Sequence, residues 1–135
     1  MSRILIVEDD AIIAEAVSAL LDHAGHQVVG VARDESSAVR HADSERPDLV
    51  LLDIKLAEGS DGIETARRLQ AVDAVPVVFM TACRDQQTLD RAAAVKPAGF
   101  LAKPFSPEQL MDVLNCCRSH SAPQPPGRPA KPSRS

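Results

Sequence analysis

Asp53 closes the apolar run Leu49-Val50-Leu51-Leu52. That run is long enough for a buried strand and too short for a helix of its own. A carboxylate in this place sits where a parallel sheet meets solvent, the rim at which open α/β folds put their sites. A second apolar run, Ile4-Leu5-Ile6-Val7, ends in Glu8-Asp9-Asp10, and two more strand-like runs end near Thr81 and Lys103. Acids, a hydroxyl and an amine at four strand ends point to one composite site. Clustered carboxylates repel: two unit charges about 4 Å apart cost about 4 kcal/mol at an effective dielectric of about 20. Proton sharing or a cation relieves that repulsion. Asp oxygens suit a hard cation such as Mg²⁺, which takes one or two carboxylates plus water and phosphate oxygens. A carboxylate beside such a cation can act as a nucleophile and become an aspartyl phosphate. An amine and a hydroxyl can hold the remaining phosphoryl oxygens. These ingredients fit phosphoryl transfer to Asp53 better than any other common chemistry.

The elements that must position these groups are legible in outline. Residues 3–7 read as a strand, and Ala11 to Ala24 as a helix with Ile13, Val17, Leu20, Leu21 and Ala24 on one face, ended by Gly25. Gln27 to Ala32 reads as a strand interrupted by Gly30, 34–43 as a short helix, and 48–53 as the strand that ends in Asp53. Asp61-Gly62 opens a helix to about Val72, Pro76 precedes the strand Val77 to Met80, and Asp85 to Val95 is helical by alanine content with little apolar face. Residues 98–102 make a fifth strand. Ser106-Pro107-Glu108-Gln109 is a strong helix start, with a cap, a proline at the first position and a glutamine three after the serine. Five strand–helix alternations with continuously apolar strands predict right-handed crossovers and a parallel sheet covered on both faces.

Bulk properties narrow the function. The chain of 135 residues is one ordinary domain with an aliphatic core; its aromatic fraction is 2%, too little for base stacking. Up to His120 there are 12 basic residues against 19 acidic ones, a net of −7, which argues against a nucleic-acid footprint. Cys83, Cys116 and Cys117 show no metal spacing and read as reduced thiols of a cytoplasmic protein. The amino terminus is neither a signal peptide nor a membrane span. The four histidines show no ligand spacing and read as surface residues. Residues 121–135 hold Arg128, Lys131 and Arg134, no acid and five of the ten prolines, and read as a disordered Pro-rich basic tail.

Taken together, Ile4 to Asp10, Leu51-Leu52-Asp53, Met80-Thr81-Ala82 and Gly99-Phe100-Leu101-Ala102-Lys103-Pro104-Phe105 resemble the receiver domain of two-component response regulators, over about residues 3–118. The resemblance implies a flavodoxin-like doubly wound (βα)5 sandwich with strand order 2-1-3-4-5. It makes Asp53 the phosphoacceptor, with Mg²⁺ on Asp9, Asp53, the backbone carbonyl of Lys55 and, in support, Glu8. Thr81 and Lys103 would hold the phosphoryl group, Thr81 and Phe100 would be the switch pair, and Lys103-Pro104 a cis peptide. The implied donor is a sensor histidine kinase or a histidine phosphotransfer protein. The output would be an unknown downstream protein or a homodimer, met through the face from about Arg84 to Arg118, with no nucleic acid or membrane. With no room for a folded output domain after His120, the expectation is a stand-alone receiver.

Some positions depart from the family pattern or keep two readings. Ala57 stands where many members have proline, and the loop from Asp53 to Gly62 is one residue longer than the commonest form. Phe100 lacks the hydroxyl of the more familiar tyrosine, and its other reading is a plain core residue. Either Glu8 or Asp10 has a second reading as the cap of the following helix. Cys83 is either an inert small residue or a thiol near the site. An aspartyl-phosphate hydrolase needs an acid two residues after its nucleophile, where this chain has Lys55. A flavodoxin-like nucleotide binder is disfavoured because Glu8-Asp9-Asp10 would repel phosphate, and a receiver kept only for docking because the acids, Thr81 and Lys103 are intact.

Overall fold

The computed structural model of the chain describes residues 2–56, 61–82 and 84–121. Ala57, Cys83 and the Pro-rich stretch after Ser121 lie outside the described residues. The elements alternate along the chain: β1 (Arg3–Val7), α1 (Ala11–His23), β2 (Gln27–Ala32), α2 (Glu35–Glu45), β3 (Leu49–Asp53), α3 (Gly62–Asp73), β4 (Val77–Thr81), α4 (Gln86–Ala94), β5 (Gly99–Ala102) and α5 (Pro107–Ser121). The strands form one parallel sheet in the order β2-β1-β3-β4-β5.

Strand side chains alternate between two apolar layers. Leu5, Val7, Val50, Leu52, Val77 and Phe79 pack with Ala38 of α2, Ile63, Ala66 and Leu69 of α3, and Ala92 of α4. Ile4, Ile6, Leu49, Leu51, Val78 and Met80 pack with Ala14, Val17 and Leu21 of α1 and Leu110, Leu114 and Cys117 of α5. Both faces are therefore buried, which is why β3 and β4 are apolar almost throughout.

Side-chain caps start the helices. Asp10, Asp34, Asp61 and Asp85 cap α1 to α4, each accepting from backbone amides of the first turn. This resolves the reading of Asp10, whose Oδ1 accepts from Ile12 N at 2.9 Å and Ile13 N at 3.3 Å. Ser106 and Gln109 form the reciprocal pair expected at the start of α5.

One boundary runs past the expected one: α2 continues beyond residue 43 to Glu45, where Arg46 turns left-handed (φ 49°) ahead of Pro47. Ser44 and Glu45 add nothing apolar to the helix face, so hydrophobic spacing had nothing to report there.

Two of the histidines are more enclosed than expected: His26 and His41 are half-buried, whereas His23 is exposed as expected. The Ser2 backbone N–H donates to His26 Nδ1 at 3.1 Å. The His41 ring fills the space beside Gly30, where a Cβ would lie 2.7 Å from Nδ1. That close approach, together with the register shift between Ile4 and Leu5 against β2, accounts for the glycine in the strand.

Candidate phosphoacceptor site at the carboxyl rim of the sheet

The parallel register brings four strand ends to one rim. Val7 pairs with Leu52, Asp53 with Met80, and Thr81 with Ala102, so Glu8, Asp53, Thr81 and Lys103 leave the sheet side by side. Backbone bonds extend the order past the strands: Glu8 N–H donates to Ala32 O and Lys103 N–H to Thr81 O, each at 2.9 Å.

The side chains then converge. Lys103 Nζ donates to Glu8 Oε1 at 2.6 Å and to Asp53 Oδ2 at 3.1 Å. Glu8 is 1% exposed, Asp53 8% and Thr81 6%, so these polar groups sit inside the apolar core's upper edge. One ammonium shared by two carboxylates leaves one negative charge unbalanced. Burial raises the Glu8 carboxyl above its ordinary range, against the opposing pull of Lys103. Burial also works to lower Lys103, but its bond to Glu8 and the charge of Asp53 outweigh it, and the amine is raised and stays charged.

Carboxylate oxygens of Glu8, Asp9 and Asp53 lie within 4.8 Å of one another. An all-oxygen set of this kind, with unbalanced negative charge, fits a hard divalent cation. In front of it opens a cleft of about 270 Å³ lined by Asp53, Lys55, Thr81, Ala82 and Lys103. Lys55 N–H points back to Asp53 Oδ1 at 3.4 Å, near the limit for a hydrogen bond. The Lys103–Pro104 peptide is cis.

Phe100 is not a core residue. It is 40% exposed on β5, and its ring centroid lies 5.7 Å from that of buried Phe79.

Three features of the rim had no clear signal in the sequence. Gly62 packs so closely under the acceptor that a Cβ there would lie 2.0 Å from Asp53 O. The Asp61-Gly62 dipeptide marked a helix start but not this contact. Asp61 also pairs with Arg91 of α4 at 2.8 Å, and Glu35 pairs with Arg68 across α2 and α3.

An open parallel sheet with carboxylates, a hydroxyl and a lysine at its carboxyl rim defines a doubly wound α/β protein with an acidic, cation-ready site. Residues 4–115 match the family model for the response regulator receiver domain, and the chain belongs to that family. It is 40% identical over 115 residues to the phyllosphere-induced regulator PhyR of Methylorubrum extorquens, covering 84% of this chain and 42% of that protein. It is 34% identical over 112 residues to the transcriptional regulatory protein PdtaR of Mycobacterium tuberculosis, covering 83% and 54%. The signal receiver domain of a modulated diguanylate cyclase from Desulfovibrio desulfuricans superposes with a TM-score of 0.82 at 38% identity, covering 87% of this chain and 93% of that one. The chain thus spans about half the length of these curated relatives. Both curated relatives are regulators by name. Among the described residues no helix is long and apolar enough to cross a membrane.

Proposed function

We propose that the chain is a phosphorylation switch that takes a phosphoryl group onto Asp53 from a phosphohistidine of a sensor histidine kinase or a histidine phosphotransfer protein. A carboxylate oxygen of Asp53 forms the new O–P bond while the N–P bond to the donor imidazole breaks. The observation that carries this reading is the convergence of Asp53, Thr81 and Lys103 on one open cleft beside Glu8 and Asp9. Lys103, already on Asp53, follows the phosphoryl oxygens and keeps their charge compensated. The Thr81 hydroxyl is the second donor to them. Glu8, Asp9, Asp53 and the backbone carbonyl of Lys55 would hold Mg²⁺, which supplies neutralisation of the phosphoryl charge when bound.

The output is a change of partner preference on the α4–β5–α5 face. Phe100, half in solvent on that face and against Phe79, is suited to report a movement of Thr81 on the neighbouring strand.

The test is chemical. The protein is incubated with Mg²⁺ and a small acyl phosphate donor, and the acyl phosphate is trapped by borohydride reduction. Mass spectrometry should find homoserine at position 53 in the wild type and none in Asp53→Asn. Equal labelling of Asp53→Asn sinks the reading. Phosphotransfer profiling against histidine kinases then identifies the donor.

A further inference from the structure

The segment after the acceptor and α4, from its N-cap to its last turn, carry complementary charges. Asp61 caps α3 with one oxygen, Oδ1, which accepts from Ile63 N at 2.8 Å. Its other oxygen, Oδ2, accepts from Arg91 Nη2 of α4 at 2.8 Å. Asp61 is also backbone-paired with Lys55 in a short antiparallel bridge, closed by Gly62 N–H donating to Ile54 O at 2.7 Å. Lys55 in turn lines the cleft with Asp53. Across the gap, Asp85 caps α4 and is held below the ordinary carboxylate range by the Thr88 hydroxyl and amide, with the Lys55 charge adding to them. The acceptor side thus offers Asp61 and Lys55, and α4 offers Arg91 and Asp85. The further charge facing Arg91 is Glu64, which also favours its charged form. Within α4 only Ala92 is buried, with Val95 behind it at the C-cap, so apolar packing alone holds this helix lightly.

We propose that Arg91 is a positioning residue: through Asp61 it ties α4 to the acceptor segment, so that the geometry around Lys55 and Asp53 and the anchoring of α4 are set together. Such coupling is reciprocal. Cutting the tie frees α4 and weakens binding at the rim, and occupation of the rim tightens the hold on α4. The part of this that concerns the rim rests on the function proposed above; the anchoring of α4 does not.

The experiment compares the wild type with Arg91→Ala, Arg91→Lys and Asp61→Asn. Asparagine caps a helix about as well as aspartate, so Asp61→Asn removes the ion pair and keeps α3 capped. Hydrogen exchange of the amides of residues 86–94, with no phosphodonor present, should be about two- to five-fold faster in Arg91→Ala and Asp61→Asn, the range open to a half-exposed ion pair. Arg91→Lys should restore part of the protection. Calorimetric titration with Mg²⁺ should give a dissociation constant weaker by a similar factor in the same two variants. The difference from wild type should shrink at high ionic strength, where exposed pairs are screened. Unchanged exchange in α4 overturns the proposal, and so does faster exchange with an unaltered Mg²⁺ affinity. If the wild type binds no Mg²⁺, the phosphoacceptor reading falls and the exchange of α4 alone decides the tie.

Discussion

Glu8, buried at the end of β1, and Lys103, just past β5, lie 95 residues apart in the chain and meet at 2.6 Å. The lysine is the common partner of two carboxylates at the most buried corner of the rim. Removing one member of a buried ion pair costs about 3–5 kcal/mol, because the charge left behind is stranded. Lys103→Met should therefore lose about 3 kcal/mol of stability in urea melts. Adding Glu8→Gln to it should recover much of that loss, since the more deeply buried of the two stranded carboxylates is gone. A double variant no more stable than Lys103→Met would mean that Glu8 is not the stranded charge.

Gly62 has no spare room. A methyl group there would meet Asp53 O at 2.0 Å and Ile54 Cα at 2.7 Å. The obstacle is backbone, so the end of β3 has to move. Gly62→Ala should cost about 2 kcal/mol or more and slow acceptor labelling beyond its effect on stability. Thermal melts and labelling rates, measured on the same preparation, check both.

The helix caps set an acid limit. The Asp34 carboxyl is lowered from its ordinary 3.8 by the Ser37 amide and then its hydroxyl. That of Asp85 is lowered by the Thr88 hydroxyl and then its amide. A depressed folded value means that the folded chain binds fewer protons than the unfolded one just below 3.8. The caps' contribution is complete above that pH and is lost as pH falls through the folded values. Asp34→Asn and Asp85→Asn should melt like wild type near neutrality and lose less than wild type on acidification to about pH 3. Parallel acid slopes in all three proteins would contradict the assignment.

Adjacent cysteines on α5 have opposite fates. Cys117 packs with Leu110 and Leu114, and burial pushes its thiol up to about 11, whereas Cys116 is exposed. Maleimide near neutral pH should modify Cys116 at least about ten-fold faster than Cys117, since the thiolate is the reactive form and access differs. Peptide mapping by mass spectrometry distinguishes the two.

Much of this was legible in the residues. Continuous apolar runs in β3 and β4 announced strands covered on both faces, and periodic Val17 and Leu21 announced α1. Ser106-Pro107-Glu108-Gln109 marked the start of α5 through local hydrogen-bond chemistry. Asp53, Thr81 and Lys103 could be grouped because each follows an apolar strand, and parallel strands end at one rim. Other features were invisible for a common reason. The half-burial of His26 and His41, the role of Gly62 beneath Asp53 and the Asp61–Arg91 pair all depend on contacts between distant segments, which no local period encodes.

The sequence by itself determined which strand ends carry acid, hydroxyl and amine, because hydrophobic runs and polar punctuation are local properties of the chain. The tertiary structure alone decided how those groups share charge. Packing both sheet faces buries Glu8 to 1% exposure and leaves Lys103 as its partner as well as that of Asp53. It also decided that the acceptor segment reaches α4 through Asp61 and Arg91, because a hydrogen bond needs atoms brought within about 3 Å, and only the folded chain brings these two together.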